Sequence, residues 1–358
     1  MPTRLTISVP SDYVLARDVC SYGYFLLAPN FWVPETGTFW RVLTLDSGPV
    51  RVGITQHAAK DWDLSSTQRH TKKLPKKLKD ATGKSLRVTA NRELSKDDTA
   101  QTKAQIKRML RLDEPAVTLQ QYHKLDTRFR QCGRGRLMRS PTLFEDIIKT
   151  VTSCNVQWPS TITMNARLCD VVGKRIEPSA RARDAAHVNM PVPEHAFPTP
   201  EQLARTRVTT LRARCRTGYR DARIIELAKL FAMRGKRPPT LDAAWFEDPK
   251  ISDDDLRAAL IDLPGIGPYA ANNIMQLLGR YHLLPLDTET VRHGKGYLEL
   301  QGTDAQIMKK VKAYYERLGE HAFRSYWFEL MDDYQTRKGP SWTWSHRVAG
   351  SFTASKLD

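Results

Sequence analysis

The sequence predicts an α+β protein, an N-terminal antiparallel β domain followed by a mostly helical domain, and three observations carry that expectation. Up to about residue 96, short alternating or β-branched runs are separated by Pro, Gly and Asn turns. From about Asp97 onward, apolar residues recur at helical spacing. Late in the chain, LIDLPGIGPYAA at 260–271 sets a tight glycine turn between two such helical segments.

Within the first part, Leu5–Val9, Tyr24–Leu27, Phe39–Leu45 and Val50–Ile54 read as strands. Gln68–Lys84 is strongly basic, which suits a solvated hairpin loop or arm; contact with phosphate is the alternative. Ala104–Leu112 and Leu143–Cys154 follow as helices, the second with Phe144, Ile147, Ile148, Val151 and Cys154 on one face. Lys174–Pro198 has four prolines and no apolar period, which predicts a long loop. Helical spacing resumes at Pro200–Arg205, Tyr219–Met233, Asp253–Leu260, Tyr269–Leu278, Thr288–Leu300 and Asp304–Leu318, and an aromatic-rich helix spans Phe323–Tyr334. The polar Thr336–Asp358 reads as a loosely held tail. The expected division is 1–96, 97–335 and 336–358, with no internal repeat.

The chain has 358 residues, 41% of them hydrophobic, enough for two domains with a sizeable core and too apolar for wholesale disorder. Its formal net charge of +17 predicts a polyanionic partner, with a basic surface kept for solubility as the alternative. Cys20, Cys132, Cys154, Cys169 and Cys215 are odd in number and scattered, which predicts free thiols in a reducing compartment. No pair has CxxC spacing, and no cluster suits zinc or an iron–sulfur centre. Met1–Pro10 lacks a signal-peptide pattern, and no apolar run reaches the length of a membrane span. The expectation is a soluble intracellular monomer, in the cytoplasm or nucleoid of a bacterium or the nucleus of a eukaryote.

The glycine turn carries the chemistry. Gly265 and Gly267 permit backbone geometry and close approach that other residues refuse. Pro268 suits the first turn of the second helix, where its missing N–H is harmless. The outward-pointing amides there form an anion site suited to a DNA phosphate. Downstream, GRYHLLPLDTETVRH places Asp287 after an apolar stretch, as the N-cap of a helix opening at Thr288. A cap alone would explain an isolated Asp; hairpin, apolar connection and Asp at this distance form a much rarer combination.

With these motifs the sequence resembles the helix-hairpin-helix/Gly-Pro-Asp superfamily of DNA glycosylases, over roughly residues 5–335 and best over 143–335. The resemblance implies that Gly265, Ile266, Gly267 and Tyr269 grip the DNA strand beside a lesion and that Asp287 is the catalytic carboxylate facing a flipped nucleotide. LFEDIIKTVTSCNVQWPSTITMNARLCDVVG (143–173) is similar to the first core helices of that family, with Asn155 at the position that fills the gap left by the base. FPTPEQLARTRVTTLRARCRTGYRDARIIELAK (197–229) is similar to the segment of oxidised-guanine enzymes that touches the opposite strand, which assigns Tyr219 and Arg220 to DNA. RSYWFEL (324–330) matches the helix near the base pocket, whose aromatic candidates are Tyr269, Tyr326, Trp327, Tyr22 and Tyr24; core packing is the alternative for each. The N-terminal part resembles the β domain of oxidised-guanine and bacterial alkylated-base glycosylases. The resemblance also implies a structural potassium, sodium or calcium ion on the carbonyls of Ile261, Leu263 and Ile266, and no other cofactor or catalytic metal.

Departures from the family shape the expected reaction. Tyr269 stands where bifunctional members carry a nucleophilic Lys, and a phenol forms no Schiff base. Lys295 is the nearest replacement amine and reads as a solvated helix residue. Tyr326 and Leu330 stand where oxidised-guanine readers carry Gln and Phe, and Ser160 stands where they carry the Arg for the opposite cytosine. The expected function is a monofunctional glycosylase that acts on duplex DNA containing a damaged purine, an alkylated one favoured. The alternatives are an oxidised- or deaminated-purine glycosylase and a non-catalytic lesion-binding protein.

Overall fold

The computed structural model describes residues 2–58, 82–177, 192–233, 235 and 237–344. The expected basic arm Gln68–Lys84 lies outside these residues except for its last three, and so does most of the expected loop after Lys174. An antiparallel sheet is built from β1 (Arg4–Ser8), β2 (Asn30–Val33), β3 (Thr38–Leu45), β4 (Gly48–Ala58) and β5 (Thr82–Ala90), in the order β1-β5-β4-β3-β2. Register follows the apolar alternation: Phe39 faces Ile54, Leu43 faces Val50 and Ile54 faces Val88, all buried. Tyr24–Leu27, expected as a strand, is instead a helical turn at Gly23–Leu26 in which the Phe25 amide donates to the Tyr22 carbonyl. Tyr24, Phe25 and Leu26 are all buried, and a short run of uniform burial has no period to separate strand from helix.

The helical part comprises α1 (Lys96–Met109), α2 (Ala116–Leu125), α3 (Leu143–Ser153), α4 (Trp158–Val172), α5 (Pro200–Arg205), α6 (Asp221–Phe231), α7 (Asp253–Ile261), α8 (Pro268–Leu277), α9 (Thr288–Gly296), α10 (Asp304–Glu316) and α11 (Ala322–Lys338), besides shorter turns. α1 starts two turns earlier than the apolar spacing suggests, because the Ser95 hydroxyl caps the Asp98 amide at 3.0 Å. One apolar core joins the sheet to α1, α2, α9, α10 and α11, so it crosses residue 96. A second holds α3–α8 and the turn between α7 and α8. A buried triad fastens β3 to α3: Glu145 meets Arg41 at 2.5 Å and Lys149 at 2.7 Å. The expected loose tail is packed as far as it is described. Trp344 is buried, and the Trp342 carbonyl accepts from Trp32 Nε1 at 2.7 Å; residues 345–358 lie outside the described set.

Candidate active site and nucleic-acid interface

The hairpin is built from local rules. Ser252 caps α7 at the Asp255 amide, and the helix ends at Ile261. The Leu263 amide then returns to the Leu260 carbonyl and the Ile266 amide to the Leu263 carbonyl, at 3.2 and 3.1 Å. Gly265 is left-handed (φ +77°), and a Cβ there would lie 2.5 Å from Arg223 Cδ, so both backbone and packing require glycine. Gly267 differs from expectation: its backbone is extended (φ −96°, ψ −178°), and an added Cβ would meet nothing within 4 Å. Its lack of a side chain keeps the mouth of α8 open, with Pro268 exposed beside it. Ile266, expected against DNA, has its side chain buried with Leu263 in the second core, where it anchors the turn. The carbonyls of Ile261 and Ile266 accept no hydrogen bond among the described residues, while that of Leu263 is used within the turn.

α8 packs in the second core and α9 in the first, so Tyr269 and Asp287 meet where the two cores join. The Asp287 carboxylate caps α9, its Oδ1 accepting from the Thr290 amide at 3.1 Å, and Thr290 Oγ1 accepts from the Asp287 amide at 3.1 Å. Its other oxygen, Oδ2, accepts from the Tyr269 hydroxyl at 3.0 Å. Burial raises the Asp287 carboxyl above the usual aspartate range, against the hydrogen bonds from Thr290 and Tyr269. Burial and the adjacent Asp287 charge push the Tyr269 phenol far upward, so Tyr269 stays protonated and acts as a donor. Lys295 is exposed and pairs with Asp304 Oδ1 at 2.8 Å.

Of the five aromatic candidates, Tyr269 touches Asp287 directly, and the others are linked to it through intervening groups. Tyr22 lies 4.9 Å from Tyr24 and 4.8 Å from the half-buried Trp327, ring to ring, and Trp327 Nε1 donates to the Ser21 carbonyl at 2.7 Å. The Tyr22 hydroxyl reaches Asn273 Oδ1 at 3.5 Å, and Asn273 Nδ2 donates to the Tyr269 carbonyl at 3.2 Å, which joins this cluster to Tyr269. Tyr24 and Tyr326 are buried and held by their hydroxyls. The Tyr24 hydroxyl is held by Thr150 Oγ1 at 3.0 Å, and that of Tyr326 meets Thr290 Oγ1 at 3.1 Å, where it braces the Asp287 cap. Leu330 is core. Sequence reasoning missed Asn273 and Thr290. Each stood at a legible spacing, four residues past Tyr269 on one helix face and three past the Asp287 cap.

Asn155 and Tyr219, distant in sequence, come together at the surface. Asn155 is exposed in a left-handed conformation (φ +52°), and its Nδ2 reaches the Tyr219 hydroxyl at 3.4 Å. Tyr219 is 52% exposed, with the Arg220 and Arg223 guanidinium groups 4.3 and 5.5 Å from its ring. Arg220, expected to touch DNA, is buried and donates to the carbonyls of Cys154, Asn155 and Thr217. Its guanidinium is occupied in holding the turn that presents Asn155. Arg223 spans the gap, packing under Gly265 while it faces Tyr219. Arg205, Arg207, Arg214 and Arg216 are exposed along the same segment. A cavity of about 200 Å³ lined by Phe31, Ile162, Cys169, Asp170 and His195 shares no residue with this ensemble.

Solved DNA glycosylases share this architecture. MBOgg1, solved in complex with a low-affinity DNA ligand, matches with a TM-score of 0.60 at 19% identity, over 94% of this chain and 97% of its own. The 8-oxoguanine glycosylase/lyase of Clostridium acetobutylicum, in its apo form, gives 0.59 at 15% identity, over 92% and 95%. The 3-methyladenine DNA glycosylase from Archaeoglobus fulgidus gives 0.57 at 16% identity, over 93% and 99%. The chain has the fold of these DNA glycosylases. No protein-family model matches the sequence, and no curated protein matches it. The expected α+β class, a sheet followed by helices with the hairpin near the end, is the class observed. Among the described residues no His, Cys, Asp or Glu cluster could hold a metal, and no helix is long and apolar enough to cross a membrane.

Proposed function

We propose that the protein is a monofunctional DNA glycosylase that flips a damaged purine out of duplex DNA and hydrolyses its N-glycosidic bond, an alkylated purine favoured. The observation that carries this reading is the 3.0 Å hydrogen bond from Tyr269 to Asp287 Oδ2, at the position where strand cleavage would need an amine. A flipped nucleotide would bring its sugar to the Asp287 carboxylate. As the bond from C1′ to the base nitrogen breaks, its electron pair leaves with the base, and the carboxylate stabilises the positive charge on the sugar. Water then adds at C1′, oriented by Asp287, which takes up its proton. Tyr269 fixes the carboxylate and supplies no nucleophile. A cationic alkylated base leaves as a neutral one, and the faces of Tyr22, Trp327 and Tyr269 attract its charge before it does.

DNA would be held by the amides at the start of α8, by Gly265 and Gly267, and by the exposed arginines of 205–223, with Asn155 and Tyr219 filling the vacated stack. The structural potassium, sodium or calcium ion that the resemblance implies would be held by the carbonyls of Ile261, Leu263 and Ile266, of which those of Ile261 and Ile266 accept no hydrogen bond among the described residues. The likeness to an enzyme named for 8-oxoguanine favours a second reading, in which the lesion is an oxidised purine. Release of free base from duplexes carrying 7-methylguanine, 3-methyladenine, hypoxanthine or 8-oxoguanine separates these readings. Methylated purines are expected to be released fastest. Binding to every duplex with release from none would leave a lesion-binding protein.

A further inference from the structure

Beside Tyr269, which holds the Asp287 carboxylate, is a polar group with hydrogen-bonding capacity to spare. Asn273 lies one turn beyond Tyr269 on the same face of α8. Its Nδ2 is committed to the Tyr269 carbonyl at 3.2 Å, which fixes the orientation of the amide. Its Oδ1 then has the Tyr22 hydroxyl at 3.5 Å, the outer limit of a hydrogen bond. Three residues further along α8, Gln276 is fully buried, and its side-chain amide has the Tyr22 hydroxyl as its one polar neighbour among the described residues, outside good hydrogen-bond geometry. Buried amides left this way are uncommon and call for an explanation. The pair brackets a single hydroxyl, which donates to Asn273 Oδ1 over its long contact.

Building on the glycosylase reading, we propose that Asn273 is the base-reading residue: its Oδ1 accepts a hydrogen bond from an N–H on the edge of the flipped purine, while the Tyr22 hydroxyl keeps Gln276 as its neighbour. Oδ1 then has a full hydrogen bond in place of only a long contact, so a base with an edge N–H enters with its donor paired. A base without one leaves Oδ1 with only its long contact. A site built this way discriminates by a donor, which apolar stacking on Tyr22 and Trp327 cannot do. The substrate class is therefore purines carrying an amine or lactam N–H, whether alkylated or deaminated.

The test compares single-turnover release of 7-methylguanine and hypoxanthine, which carry such an N–H, with that of 1,N6-ethenoadenine, which carries none. Asn273→Leu is expected to slow release of the first two at least about tenfold and of ethenoadenine less than about twofold. Affinity for an abasic-site duplex should stay within about twofold, and Asn273→Ala should show the same pattern if the leucine variant is poorly folded. An equal fall for all three bases would assign Asn273 a purely structural role and overturn the proposal, as would no fall at all. Wild-type protein that releases no base from any duplex would overturn the glycosylase reading and this proposal with it; wild-type release with an unchanged ratio in the variants overturns this proposal alone.

Discussion

Asp287→Asn separates the two roles of one side chain. The amide keeps an oxygen for the Thr290 N–H at the start of α9, and Asn ranks with Asp as a cap, so the helix start survives. The lost charge removes a favourable interaction with the N-terminus of α9, worth about 0.3–1 kcal/mol, and a charged acceptor for Tyr269. Burial acts in the opposite direction. It holds the Asp287 carboxyl above its ordinary range, so the folded site favours a neutral group. The opposed effects leave stability within about 1 kcal/mol of wild type, a Tm shift of about 4 °C or less. Catalysis has no such compensation. Removing a group aimed at developing charge slows base release by about 10²–10³-fold or more. The assay is single-turnover release beside affinity for an abasic-site duplex, which should stay within about tenfold, or 1.4 kcal/mol. A variant that releases base within about tenfold of the wild-type rate would remove Asp287 from the mechanism, and one that unfolds would make capping its main task.

The two hairpin glycines should part company: Gly265→Ala strains a left-handed backbone against Arg223 and loses about 1–2 kcal/mol in denaturant melts, while Gly267→Val leaves stability unchanged and weakens binding to all duplex sequences alike. Base release should fall as pH drops through the Asp287 pKa, which burial places above the ordinary aspartate value of about 3.9; a rate profile flat down to that value would count against it. The linkage sign is opposite for folding, because a carboxyl raised in the folded state loosens the fold as it ionises with rising pH, and this slope should vanish in Asp287→Asn. Tyr219→Ala should weaken binding to lesion and abasic duplexes by about tenfold without changing Tm, whereas Arg220→Ala, which strips buried carbonyls of their donor, should lower Tm by several degrees.

The parts of the fold that obey local rules were legible. Pro200–Arg205 was bounded by its Pro and its capping Thr199, and α8 and α9 by Pro268 and Asp287. α2 escaped because no side chain caps it and because it exposes Val117 and Leu125 while burying Leu119 and Tyr122, which blurs its apolar stripe. β5 escaped because its first residues continue a basic run, although Leu86, Val88 and Ala90 alternate inward. In the site, the hairpin and the Asp cap could be read from spacing, and the missing amine at Tyr269 from the family resemblance. The inward turns of Arg220 and Ile266 could not, since they depend on carbonyls and core contacts brought in from α3, α6 and α8. The division of the aromatics was hidden for the same reason: Tyr326 is a brace only because Thr290 stands opposite it.

The most direct measurement is the fate of an end-labelled strand carrying one 7-methylguanine. Because Tyr269 offers a phenol and Lys295 is engaged with Asp304, the wild-type protein should release the base and leave the strand unbroken until hot alkali is added. Borohydride added during turnover should capture no protein–DNA adduct. Direct cleavage, or a trapped adduct that disappears in Lys295→Ala, would contradict the monofunctional mechanism and give the reaction to an amine.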